Sequence, residues 1–204
     1  MNPSSSPEPV DHRARLIDAL ATMLARQSYA DTTIADVVAQ AHVSKRTFYE
    51  QFASKDDCLV ALCETLSQRT LALIAEGFDP AADWVEQLGQ VTQAYLASLQ
   101  AQPVLIRTLF IELLGIGPAG LATRRQIQQR FADFLQMQVE LSRLKEPGKR
   151  ALSPEMAMAV VGGINELILH AIEQDQVHRL TDLAPTVIAF VQAVLTSLNP
   201  PLPN

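Results

Sequence analysis

The sequence predicts an all-α fold of about nine helices, three short ones followed by six longer ones. Three observations carry that expectation. Apolar residues recur three and four apart in one segment after another. No stretch shows the strict alternation of a half-buried strand. The breaks between segments carry helix punctuation, with Ser, Thr or Asp in front and Gly or Pro behind. Apolar residues make up 48% of the chain and aromatics only 5%, a balance that suits packed helices better than a β-sandwich.

Residues 1–10, MNPSSSPEPV, are rich in Ser and Pro and are expected to form a disordered arm. Leu16, Leu20, Met23 and Leu24 mark a first helix from Arg13 to about Ser28. Thr33 and Asp36 have capping-box spacing ahead of Val37, Val38 and Ala41, which predicts a short second helix. Ser44 caps a third that reaches Phe52, and Ser54 with Asp57 caps a fourth that runs to Gly77. Past GFDP the helices lengthen. One runs from Ala81 to about Gln100, and the next has Pro103 in its first turn and stops at GIGP. A third long helix covers Ala119 to Lys145, closed by Pro147 and Gly148. Ser153 and Pro154 open one that reaches about Asp175, and Asp182 opens the last, which ends near Leu198. The expected organisation is an arm at 1–10, a helix-turn-helix domain at 11–53 and a larger helical domain at 54–199.

The 204 residues hold 16 Lys+Arg and 22 Asp+Glu, a formal charge of −6. An acidic total normally argues against nucleic acid as a partner. Yet the first 55 residues balance six cations against six anions, so the remainder carries the whole excess. Cys58 and Cys63, five apart on one predicted helix, face different ways, and two lone thiols suit a reducing cytosol. The N-terminus lacks the basic start and apolar run of a signal peptide. No uninterrupted apolar run reaches the ~18 residues of a membrane span. The expectation is a cytoplasmic protein without a membrane partner.

The segment AQAHVSKRTFYEQF, residues 39–52, mixes cations and aromatics. At ~100° per residue, Phe48 and Phe52 fall on one side of a helix, suited to burial against the first two helices. Arg46, Tyr49 and Glu50 point roughly the other way, flanked by Lys45 and Thr47. A displayed tyrosine beside two cations is poor core design but suits a phosphate backbone and groove edges. Only the turn AHV separates this helix from the preceding one, which makes a helix-turn-helix. His42 takes a turn position that usually needs positive φ, where glycine is cheapest but histidine is tolerated. Two readings of His42 stand: a polar ring beside the displayed face, or a strained turn residue with no contact role.

Residues 32–62, TTIADVVAQAHVSKRTFYEQFASKDDCLVAL, resemble the DNA-binding signature of the tetracycline-repressor (TetR) family of bacterial regulators. The matching features are the Thr at the head of helix two, VS at the turn, T-F-Y and then F on helix three, and SKDD opening helix four. The resemblance implies a three-helix DNA-binding domain and a larger domain that dimerises and holds a ligand pocket. It implies phosphate contacts from Thr33 and Tyr49, aided by Lys55, and base-edge or nearby phosphate contacts from Ser44, Lys45, Arg46 and Thr47. Two departures from the pattern stand out. Glycine is usual where His42 sits, and Glu50 and Gln51 follow Tyr49 where another aromatic or histidine is frequent. Glu50 is expected to pair with Arg46 four residues earlier rather than to reach a cytosine amino group.

The residues of the second domain are less specific. Gly162 and Gly163 sit mid-helix, which costs roughly 1 kcal/mol each against alanine and calls for close helix approach. Val187, Phe190, Val191 and Val194 form an apolar face on the last helix. The pattern alone fits packing within one subunit as well as between two; the resemblance implies a four-helix dimer interface. For the pocket, Trp84, Tyr95, Phe110, Phe131 and Phe134 are candidate wall residues. Arg107, Glu112, Glu166 and His170 are candidate polar contacts. Taken singly, each has a plainer reading as core, surface or ion pair.

The scattered four His and two Cys include no HExxH and no paired CxxC, so no metal site is expected. Nor is there a nucleophile elbow, a phosphate-cradling loop after a strand or a pair of convergent acids. GIGPAG reads as an interhelical turn. The sequence therefore points to a homodimeric, ligand-responsive transcription factor, a repressor by the family's usual behaviour. It is expected to bind a pseudo-palindromic double-stranded operator and a small-molecule effector, with no cofactor and no enzymatic activity. Glu50 and the low basic count support an alternative, a helical small-molecule-binding protein or enzyme that has lost operator binding. A structural dimer with a vestigial pocket is a third.

Overall fold

Capping chemistry sets most element boundaries. The computed structural model describes residues 11–77, 83–145 and 150–197. The expected arm at 1–10, the stop at Pro147 and Gly148 and the segment after Ser197 lie outside the described residues. Every regular element among the described residues is helical. The order is α1 (His12–Leu24), α2 (Ile34–Ala41), α3 (Lys45–Gln51), α4 (Lys55–Glu76), α5 (Trp84–Gln100), α6 (Pro103–Arg107), a π-helical turn (Thr108–Glu112), α7 (Leu113–Gly115), α8 (Pro118–Lys145), α9 (Pro154–Glu173), a 3-10 segment (Val177–Leu183) and α10 (Ala184–Ser197). Because α6, the π turn and α7 run on without a break, the helix expected from Pro103 to GIGP is present as one rod.

Two compact units divide inside α4: the first ends at Cys63 and the second begins at Glu64. The expected boundary at 53/54 lay ahead of this helix. Packing assigns its first turns to the N-terminal unit, because Cys58, Leu59, Leu62 and Cys63 are buried there.

In the first unit α1 packs on α2 and α3. Its core takes Leu16, Leu20 and Leu24 from α1, Val37, Val38 and Ala41 from α2, and Phe48 from α3. The helix α1 stops at Leu24 rather than near Ser28. Ser28 and Asp31 bond each other through side chain and backbone, and the Thr32 hydroxyl donates to the Ser28 carbonyl. Such local bonds offer the backbone an alternative to helix.

In the second unit α8 packs along α9, while α5 packs on α10 and on the 3-10 segment. The interhelical turn needs Gly120, where an added Cβ would fall 1.6 Å from the Leu113 carbonyl oxygen. By length and composition alone, Lys55–Glu76, Pro154–Glu173 and Val177–Ser197 are apolar enough to cross a membrane. A helix apolar on all sides ordinarily has more than one face to bury. Here the exposed fraction is largest in the last of these, whose most apolar window is only 22% buried.

Candidate functional site

The turn between α2 and α3 holds the geometry of the N-terminal unit. Thr33 caps α2 reciprocally: its Oγ1 accepts from the Asp36 amide at 3.2 Å, and Asp36 Oδ2 accepts from the Thr33 amide at 2.9 Å. These bonds, the Thr33 hydroxyl foremost, hold the Asp36 carboxyl below the usual aspartate range. At the other end His42 sits at φ 54°, ψ 46°, the left-handed conformation its turn position calls for. The Arg15 guanidinium donates to the Ala41 carbonyl, supplying a cation where α2 leaves its last carbonyls unpaired.

Ser44 then caps α3, accepting from the Thr47 amide at 3.0 Å. Phe48 is fully buried and Phe52 is 4% exposed, so both aromatics anchor the helix as the periodicity required. Tyr49 is 58% exposed, and its ring meets the edge of Phe48 at 5.6 Å between centroids. Its hydroxyl has no protein partner among the described residues. Thr33, His42, Ser44, Lys45 and Arg46 are exposed, and Thr47 is half-buried. The expected Arg46–Glu50 pair forms at 3.0 Å.

Lys55 is placed differently from the others. Its ammonium donates to the carbonyls of Tyr29 and Thr32, each at 2.7 Å, and lies 4.1 Å from the centre of the Tyr29 ring. Tyr29 in turn donates to Asp56, and burial together with that carboxylate pushes its phenol pKa upward. Lys55 is thus engaged in tying the start of α4 to the loop before α2. Burial pushes the Cys58 thiol up to about 12, so it is inert at neutral pH.

In the second unit three adjoining cavities take their walls from repeating faces of helices. The face of α5 carries Leu88, Val91, Thr92, Tyr95 and Leu99, and that of α8 carries Arg124, Ile127, Gln128, Phe131 and Phe134. The most apolar of the three, about 120 Å³, is also lined by Val160, Ile164, Val187 and Val191. A second, about 60 Å³, shares Tyr95, Phe131 and Asn165 with the first. The third adjoins the second through Thr70, Leu99 and Leu109. The π turn contributes Leu109 and Phe110, an irregularity frequent at functional sites.

Of the residues singled out from sequence, Tyr95, Phe110, Phe131 and Phe134 line these cavities. Trp84 instead packs against the cluster of Ala132, Val139, Leu152 and Ala157. Arg107 and Glu166 are exposed, and neither they nor Glu112 lie among the wall residues. His170 is exposed and faces Glu173 at 4.0 Å, not Glu166. The polar wall residues Thr70, Thr92, Arg124, Gln128 and Asn165 were missed. The signal for them was present in the four- and seven-residue spacing of Arg124, Gln128 and Phe131.

The glycine and valine expectations also change. Val187 and Val191 are 2% and 3% exposed inside one chain, so they serve the subunit's own core and chamber rather than a partner. Gly163 allows α9 to approach α10 of the same chain, since a Cβ there would meet the Phe190 ring at 3.0 Å. Gly162, Phe190 and Val194 remain half-buried, and a Cβ at Gly162 would meet nothing within 4 Å.

Residues 16–62 match the family model for bacterial regulatory proteins of the tetR family. Comparison of the sequence with curated proteins gives no significant match. Solved structures give many. A fatty acid degradation regulator, FadR, from Bacillus halodurans superposes with a TM-score of 0.75 at 20% identity, over 92% of this chain and 96% of that one. A putative TetR-family regulator from Syntrophomonas wolfei gives 0.74 at 18% identity, over 91% and 95%. FadR from Bacillus subtilis, solved with stearoyl-CoA, gives 0.68 at 20% identity, over 90% and 97%. Residues 16–62 thus resemble the DNA-binding domain of the tetR family of bacterial regulatory proteins, and the chain shares the fold of the solved regulators above.

Proposed function

We propose that this protein is a cytoplasmic, non-enzymatic repressor that binds a pseudo-palindromic operator as a homodimer and releases it on binding a small molecule. The observation that carries this reading is the division of α3 into two faces. Phe48 is fully buried, while Tyr49, Lys45 and Ser44 are exposed, as is Thr33 at the head of α2. Tyr49 and Thr33 would hold phosphates, and Lys45, Arg46 and Thr47 would meet base edges or adjacent phosphates. His42 places a polar ring beside them. Lys55 contributes by fixing the loop before α2, not by reaching DNA.

With few cations on the head, few counterions are displaced, and affinity away from the matched site is expected to be weak. Two recognition helices, one per subunit, would enter successive major grooves. The incompletely covered apolar surface of α9 and α10 supports a second copy as the partner there, with Gly162, Phe190 and Val194 at the interface. Helix α4 carries core residues of the head and cavity residues of the second unit, so a ligand that favours one placement of α4 would alter the spacing of the recognition helices.

Selection of random duplex DNA on the purified protein at moderate salt tests the reading. An enriched inverted repeat is expected. A folded protein that enriches no sequence at any salt would overturn it.

A further inference from the structure

Inside a folded domain polar side chains normally find partners. Four half-buried groups on the cavity walls of the second unit are instead left to solvent or a ligand. Arg124, Gln128, Asn165 and the Tyr95 hydroxyl have no hydrogen-bond or ion-pair partner among the described residues. All four border the same 60 Å³ cavity, and among the described residues no Asp or Glu lines it or either adjoining one. Among the described residues Arg124 is the only cation lining that cavity, half-buried on walls it shares with Phe110, Ile127 and Phe131. Holding a guanidinium there without a carboxylate forgoes the pairing that normally offsets its desolvation. The adjoining chamber is apolar over nearly its whole surface, and Tyr95, Phe131 and Asn165 stand at the boundary between the two.

We propose that the effector is an amphipathic carboxylate: its head group is held by Arg124, Asn165 and Tyr95, and its apolar body fills the chamber between α5, α8, α9 and α10. A planar guanidinium matches a carboxylate through two parallel bonds, and the amide and phenol supply neutral donors to the same oxygens. One cation balances one negative charge. A phosphate monoester would leave part of its charge uncompensated, and an ammonium head would meet a like charge. Burial pushes the Tyr95 phenol pKa upward, so it stays a donor at neutral pH. This inference rests on the cavity's being the effector site of the regulator proposed above.

The test is calorimetric titration of the full chain without DNA, using decanoate, decanol, decyl phosphate and decylammonium below their micellar thresholds. Decanoate is expected to bind about tenfold or more tighter than decanol, with decyl phosphate weaker than decanoate and decylammonium silent. Arg124→Gln is expected to weaken decanoate about tenfold or more while leaving decanol unchanged, which also reports that the variant is folded. Arg124→Lys should recover part of the loss. Equal affinity for acid and alcohol, tighter binding of the phosphate, no binding by any probe, or an Arg124→Gln variant that keeps wild-type decanoate affinity would each overturn the proposal. Operator selection runs separately. A protein that enriches an inverted repeat but ignores decanoate remains a regulator with a different effector, and one that takes decanoate but selects no DNA loses the regulator reading alone.

Discussion

The two units of this chain treat their polar side chains in opposite ways. In the N-terminal unit nearly every polar group near the core is tied to the backbone: Arg15 to the end of α2, Lys55 to the loop before α2, Thr33, Asp36 and Ser44 to helix starts. In the second unit Arg124, Gln128, Asn165 and Tyr95 face cavities without partners. Both buried side-chain polar atoms that lack a hydrogen bond among the described residues, Arg130 Nη1 and Gln138 Oε1, also lie there. The head spends its polar groups on rigidity and leaves a few on the surface to meet a ligand. The second unit leaves these four half-buried on its cavity walls. On the proposed function, a recognition helix has to be held in one geometry before it meets DNA, whereas an effector cavity keeps polar groups open for its ligand.

The comparison can be broken most forcefully at Phe48. Phe48→Ala should destabilise the protein by about 3–5 kcal/mol, read from chemical denaturation, because a fully buried aromatic leaves a cavity. An unchanged midpoint would mean that the head is not anchored as described. A sharper contrast pairs Lys55 with Arg124. Lys55→Met should cost about 1.5–3 kcal/mol, since two carbonyls lose a charged donor. Arg124→Met should cost nothing measurable or stabilise slightly, because no group among the described residues depends on it. Equal losses would erase the distinction between the units.

Smaller effects probe the surface of α3. Tyr49→Phe should lower operator affinity about fivefold with the melting temperature unchanged, the hydroxyl having no partner among the described residues. Loss of folding would move Tyr49 into the core. Glu50→Gln should shift stability by no more than about 0.5 kcal/mol, because the Arg46 pair is exposed. It should also strengthen operator binding by freeing Arg46 and removing a charge that repels phosphate. The smallest effect is acid-dependent. Because the folded state lowers the Asp36 pKa, its carboxylate adds stability above the unfolded aspartate pKa, and that stability is lost as pH falls through the lowered value. Asp36→Asn should remove that component of the acid limb of a denaturation curve and leave the alkaline side untouched.

How much of this was legible in the sequence differs between the units for a physical reason. The orientation of α3 followed from residue order alone, since a helix fixes its faces at once, and so did the Arg46–Glu50 pair. His42 at positive φ followed from the tightness of the AHV turn. The structural partners of Lys55 were not legible, because they are backbone carbonyls of residues 23 and 26 positions away, which carry no sequence signature. In the second unit the aromatic wall residues were found by type, yet Arg107, Glu166 and His170 proved exposed. An amphipathic helix announces that it has a buried face but not whether that face meets a neighbour or an empty space.

The sequence by itself determined the helices, their caps and the two-faced recognition helix, all of which depend on neighbours within about a turn. Only the tertiary structure decided that Val187 and Val191 close a cavity within the subunit, that Gly163 yields to Phe190, and that Arg124 and Asn165 border one cavity from helices far apart in the chain. Those outcomes depend on which helix packs beside which. That choice is made by the packing of the whole unit, because each helix face can be satisfied by more than one partner until the others have taken their places.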